Sequence, residues 1–140
     1  MNSSPDVAAD DRQVVLIVDD EEPVVELLGY VVADAGYTPL TALNGRQAME
    51  VAREHWPAVL ITDLMMPYLS GADLIAALKE EADQSGRPRV PAVLITGAGH
   101  AAALSAGADA VLAKPFELGD LDVLLRRFLG PPPAGETAAS

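Results

Sequence analysis

Two short apolar runs in this 140-residue chain stop abruptly at carboxylates. Val14-Val15-Leu16-Ile17-Val18 runs into Asp19-Asp20-Glu21-Glu22, and Ala58-Val59-Leu60-Ile61-Thr62 runs into Asp63. Short β-branched runs of this kind read as strands buried on both faces of a parallel sheet. Their abrupt ends deliver acids to one rim. If the two strands are neighbours, three carboxylates converge, which is electrostatically costly unless a cation or a proton sits among them. That cost favours a functional cluster over a structural one.

The rest of the chain fits the same architecture. Strand and helix patterns alternate five times after a polar stretch at residues 1–12, read as a disordered N-terminal arm. Val24, Leu27, Leu28, Val31 and Ala35 recur at helical spacing behind Pro23, an early helix position, until Gly36. Pro39 demotes the strand near Tyr37–Ala42 to a sheet edge. Asn44 and Gln47 resemble a capping box for a helix over Gly45–His55. A third helix is expected over Gly71–Ala82, with Gln84–Pro88 a loop, before a strand at Ala92–Thr96. A short fourth helix fits His100–Ala106, a fifth strand Ala110–Ala113, and a last helix Leu118–Leu129. The Pro-rich residues 131–140 read as a disordered tail, leaving one domain over 13–130. An edge strand in second position predicts a doubly wound α/β sheet of order 2-1-3-4-5, with strands one and three adjacent at the switch point.

Composition excludes several classes of function. A formal charge of −12, with Lys79 and Lys114 the only lysines, disfavours nucleic acid and anionic membranes as partners. No cysteine is present, so disulfides and thiolate metal sites are excluded. Neither a signal peptide nor a membrane-spanning run is visible, and a cytoplasmic location is expected.

Four groups lie at predicted strand ends: Asp19/Asp20, Asp63, Thr96 and Lys114. Val18-Asp19-Asp20-Glu21, the D-x-x-M-P-x-x-x-G pattern of Asp63–Gly71, Thr96-Gly97 and Lys114-Pro115-Phe116 follow one another in order. Together they resemble the receiver domain of two-component response regulators over nearly all of residues 13–129. The resemblance implies a flavodoxin-like (βα)5 three-layer sandwich. It further implies that Asp63 is a phosphoacceptor forming an aspartyl phosphate. Asp20 directly, Asp19 mainly through water, Asp63 and the backbone carbonyl of Met65 would hold Mg²⁺, an ion suited to an all-oxygen site. Lys114 and Thr96 would contact the phosphoryl oxygens, and Gly97 would leave space beside them.

Other roles compete for these residues. Asp20 could be a helix N-cap before Pro23, Lys114 an ordinary ion-pair partner and Thr96 a plain strand residue. Gly97-Ala98-Gly99-His100-Ala101-Ala102 matches a relaxed dinucleotide fingerprint, but the next strand ends in Lys114 rather than an acid. His55 and His100 have no ligand partners nearby in sequence.

Two positions depart from the family pattern. The aromatic switch residue expected three positions before the lysine is Val111, whose stiff β-branched side chain cannot make the same reach. The Thr96–Lys114 interval is shortened by roughly one helical turn, in the fourth helix. The resulting expectation is a stand-alone, Mg²⁺-dependent receiver, monomeric or a weak homodimer. It would take phosphate from a sensor histidine kinase or histidine phosphotransfer protein and act on a downstream protein rather than on DNA. It would catalyse its own phosphorylation and dephosphorylation without being a turnover enzyme. Rival readings are a phosphorylation-independent pseudo-receiver and an aspartate-nucleophile phosphatase, though the latter would want a D-x-D arrangement and a cap domain.

Overall fold

The computed structural model of the protein describes residues 13–97 and 107–130. Five parallel strands form one sheet in the order β2-β1-β3-β4-β5. They are β1 (Val14–Val18), β2 (Thr38–Ala42), β3 (Val59–Asp63), β4 (Ala92–Thr96) and β5 (Ala110–Ala113). Four helices lie among the described residues: α1 (Glu22–Asp34), α2 (Gly45–Glu54), α3 (Gly71–Ser85) and α4 (Leu118–Leu129). The α/β doubly wound order predicted from the edge proline is the observed one, with Pro39 on edge strand β2 opposite Val15. The arm at 1–12, the tail at 131–140 and the short helix expected at His100–Ala106 lie outside the described residues.

Alternation along the strands splits the core between the two faces of the sheet. On one face Val15, Ile17, Val59, Ile61, Val93 and Ile95 pack with Val25, Leu28 and Val32 of α1 and Leu121 and Leu125 of α4. On the other, Leu16, Val18 and Leu60 meet Ala48, Met49 and Ala52 of α2 and Leu74 and Leu78 of α3. The inner strands β1, β3 and β4 carry no polar face because neither of their faces reaches water, whereas edge strand β2 exposes Thr41.

Local details depart from the sequence reading in three places. The buried stripe of α1 is Val25-Leu28-Val32, one position round from the expected one, and Leu27 is half exposed. That helix is apolar over a wide arc, so contact with the sheet, not periodicity, sets its rotation. Helix α3 continues to Ser85 through the polar stretch read as a loop. It does so because Ala82 is still buried, and Gly86, in the left-handed region at φ 74°, ends it. At α2 the Asn44 side chain accepts the Gln47 N–H as expected, but the Gln47 side chain accepts from Leu43 rather than from the N-cap itself.

Candidate functional site

Register brings the acids together. Val18 pairs with Thr62 across β1 and β3, so the next residues out, Asp19 and Asp63, emerge side by side at the switch point. On the far side of β3, Asp63 pairs with Ile95, which places Thr96 one step beyond it. Thr96 in turn pairs with Ala113, and the Lys114 N–H donates to the Thr96 carbonyl at 2.9 Å. Four separate chain segments therefore end at one rim without any loop having to reach across.

Asp19, Asp20 and Asp63 each present a carboxylate oxygen within 4.8 Å of the others. They differ in environment. Asp20 is exposed, Asp63 is 9% exposed and Asp19 only 2%. Burial pushes the Asp19 carboxyl up to about 6, opposed by the hydrogen bond it accepts from the Glu21 N–H at 2.9 Å and reinforced by the charge of Asp63. The same bond corrects the alternative role for Asp20. The N-cap of α1 is Glu21, which makes no side-chain capping bond, and the carboxylate that accepts from the start of the helix is that of Asp19. Asp20 is left pointing its charge at the cluster.

Lys114 Nζ stands 3.5 Å from Asp63 Oδ2. One ammonium faces three carboxylates, so a net negative charge remains, and the donor set is all oxygen. Such a site fits a hard divalent cation. Thr96 is 1% exposed at the end of β4. Among the described residues, a side chain added at Gly97 would meet nothing within 4 Å.

The loop after Asp63 is held from both ends. Its return leg closes where the Gly71 N–H donates to the Leu64 carbonyl at 2.9 Å. A Cβ on Gly71 would overlap the Asp63 carbonyl oxygen and come within 3.0 Å of Leu64 Cα, so this close approach excludes any other residue. Ser70 and Asp73 then form a reciprocal capping box at the start of α3. Between these anchors the Leu69 N–H bonds back to the Pro67 carbonyl at 2.8 Å, turning the chain tightly around Tyr68 at φ 70°. Met65 lies in this loop two residues past Asp63 with its side chain 72% exposed. Sequence reasoning found every acid of the cluster but missed the tight turn at Tyr68, which no glycine announces.

Val111, the position read as an atypical switch, is half-buried and pairs with Leu94 in the sheet. Its neighbours Ala110 and Leu112 face the α1/α4 core. His100 and the fingerprint residues from Ala98 to Ala102 lie outside the described residues, while Gly97 ends the described part of that segment.

Comparison with known proteins agrees with this geometry. The family model described as the response regulator receiver domain matches residues 15–126. The chain is 34% identical over 133 residues to response regulator MprA of Mycolicibacterium vanbaalenii, covering 89% of this chain and 55% of that protein. It is 33% identical over 119 residues to the probable transcriptional regulatory protein TcrX of Mycobacterium tuberculosis, covering 82% and 49%. The chain thus spans about half the length of the curated relatives it matches. Among solved structures, chemotaxis protein CheY4 of Vibrio cholerae superposes with a TM-score of 0.74 at 30% identity, over 84% of this chain and 99% of that one. TrrA of Thermotoga maritima, solved in complex with Mg²⁺-BeF, gives a TM-score of 0.72 at 25% identity, over 84% and 99%. With the switch-point acids, the rim lysine and a family match running from β1 into α4, the chain belongs to the response regulator receiver domain family.

Proposed function

We propose that Asp63 accepts a phosphoryl group from a phosphohistidine donor with the help of Mg²⁺, and that the resulting change at the rim switches contacts with other proteins. The single observation that carries this reading is the placement of one nearly buried carboxylate, Asp63, between two further acids and the ammonium of Lys114. The Asp63 carboxylate oxygen attacks phosphorus while the bond from phosphorus to the donor's imidazole nitrogen breaks, which leaves an acyl phosphate and the free imidazole. Lys114 is near enough to Asp63 to attract the phosphoryl oxygens, and the Thr96 hydroxyl can donate to them. Asp19, Asp20 and Asp63, with the Met65 carbonyl, would hold Mg²⁺, which when bound offsets the crowded negative charge. The Mg²⁺-BeF complex of the similar TrrA supports that choice of ion.

The chain is a self-phosphorylating and self-dephosphorylating acceptor in this reading, not an enzyme that turns over an external substrate. Its charge of −12 supports output through protein contact rather than through DNA. The transcriptional role named for TcrX belongs to a protein about twice as long. Among the described residues no helix is long and apolar enough to cross a membrane, in keeping with the proposed cytoplasmic location.

Incubation with acetyl phosphate, followed by intact mass measurement, tests the reading. A single phosphoryl adduct that requires Mg²⁺ is expected. Absence of any adduct on folded protein contradicts the proposal and favours the pseudo-receiver. Sustained phosphate release from an added phosphomonoester would favour the phosphatase instead.

A further inference from the structure

Beside the acid cluster, a cleft of about 630 Å³ separates the loop between β2 and α2 from the loop that follows Asp63. Asp20 forms one wall, shared with the cluster, and Leu43, Arg46, Pro67, Tyr68 and Leu69 form the others. Tyr68 is fully exposed and Leu43 is 36% exposed, so two large apolar side chains stand in water at its mouth. The two loops are keyed together at the bottom. Gly45 is buried against the Leu69 side chain so tightly that a Cβ there would overlap it. The glycine directly after the Asn44 N-cap was the only trace of this contact in the sequence.

Arg46 distinguishes the cleft from a bland apolar dent. The chain holds 21 acidic and nine basic residues, so a cation lining this cleft stands against a mostly acidic background. Among the described residues Arg53, Lys114 and Arg126 each pair with a carboxylate, whereas Arg46, like Lys79, Arg87, Arg89 and Arg127, makes no ion pair. A rim that combines an unpaired guanidinium with an exposed aromatic matches the composition of a protein-binding hot spot.

We propose that this cleft is a docking site for the protein that delivers the phosphoryl group, with Arg46 and Tyr68 as residues that determine which donor is accepted. The proposal rests on the phosphoacceptor reading of Asp63. Continuity favours a donor over other occupants: the cleft shares Asp20 with the cluster, so a protein placing a phosphohistidine over Asp63 covers both. Charge complementarity fixes the chemistry of the contact. The donor surface presents an apolar side chain between Leu43 and Tyr68 and a carboxylate to Arg46.

The test compares two donors on three variants, Arg46→Glu, Arg46→Lys and Tyr68→Asn. Asparagine tolerates the positive φ at position 68 and so removes the aromatic ring without unsettling the turn. Each histidine kinase of the source organism is autophosphorylated and scored for transfer to the wild-type chain, and the fastest serves as the protein donor; acetyl phosphate serves as the small one. Transfer from the kinase is expected to fall about tenfold or more in Arg46→Glu and Tyr68→Asn, with Arg46→Lys retaining most of it. Labelling by acetyl phosphate stays within about twofold in all three, since these residues never touch the small donor. Equal losses with both donors, no loss with either, or no transfer from any kinase to a chain that acetyl phosphate does label would each overturn the docking site. So would sedimentation showing that the wild type self-associates through this face and Tyr68→Asn does not. Failure of acetyl phosphate to label the wild type would instead strike the phosphoacceptor reading.

Discussion

Asp19 and Asp20 are neighbours in sequence and opposites in environment, and that contrast has a measurable consequence. Asp19 is raised from 3.8 to about 6 chiefly by burial. Between those values the folded chain keeps a proton that the unfolded chain has lost, so stability falls as pH rises from about 4 to 6 and the full penalty stands above that. The shift corresponds to about 3 kcal/mol in metal-free protein. Asp19→Asn keeps an acceptor for the Glu21 N–H but carries no charge, so its melting temperature in EDTA should exceed the wild type's at pH 7.5 and match it near pH 4. Equal melting temperatures at both pH values would show that Asp19 is not strained by its charge. A second residue-scale prediction concerns Gly71. Gly71→Ala drives a methyl group into the Asp63 carbonyl, and should cost about 1–3 kcal/mol in urea unfolding while slowing labelling of Asp63. Wild-type stability in that variant would mean that the loop has room to yield.

At the scale of elements, the sequence was legible wherever one local rule acted alone. Short apolar runs located the ends of β1, β4 and β5 to the residue and that of β3, which takes in Asp63, to within one, because a run of buried apolar residues leaves few polar positions to blur its limits. Pro39 marked the edge strand for an equally local reason. The rotation of α1 was not legible, since Val24, Val25, Leu27, Leu28, Val31 and Val32 offer two apolar stripes and only the sheet selects one. Nor was the end of α3, where Asp83-Gln84-Ser85 looks like a loop but follows a buried Ala82 and precedes a left-handed Gly86. Contacts distant in sequence left no pattern at all. The Tyr37 hydroxyl donates to the Gly130 carbonyl at 2.6 Å, and the Gln13 amide to that of Leu129 at 2.8 Å. Together they satisfy carbonyls that the end of α4 would otherwise leave without partners. Tyr37→Phe keeps the buried ring and deletes one bond, so a loss of about 1 kcal/mol in urea unfolding is expected. An unchanged midpoint would mean that water replaces the hydroxyl without cost.

Across the whole molecule, two cores clamp a sheet whose open rim gathers charge. The faces between helices and sheet are filled by aliphatic side chains from every strand, which fixes strand positions and hence the spacing of the rim groups. The acids are not held together by their own interactions, which are repulsive; packing below them supplies the force. That division explains how a chain can keep Asp19, Asp20 and Asp63 in reach of one cation and still fold. The proposed phosphorylation would act on the rim loops, where Tyr68 is turned through a left-handed conformation and Lys114 stands across from Asp63. The central claim is that Asp63, and no other acid of the cluster, carries the phosphoryl group. Borohydride reduction of an acyl phosphate converts the modified aspartate to homoserine, so peptide mapping after labelling with acetyl phosphate and Mg²⁺ reads the position directly. Homoserine at position 63, absent from Asp63→Asn, is the predicted result. Homoserine at position 19 or 20 of the wild-type chain, or none on a folded chain, would contradict it.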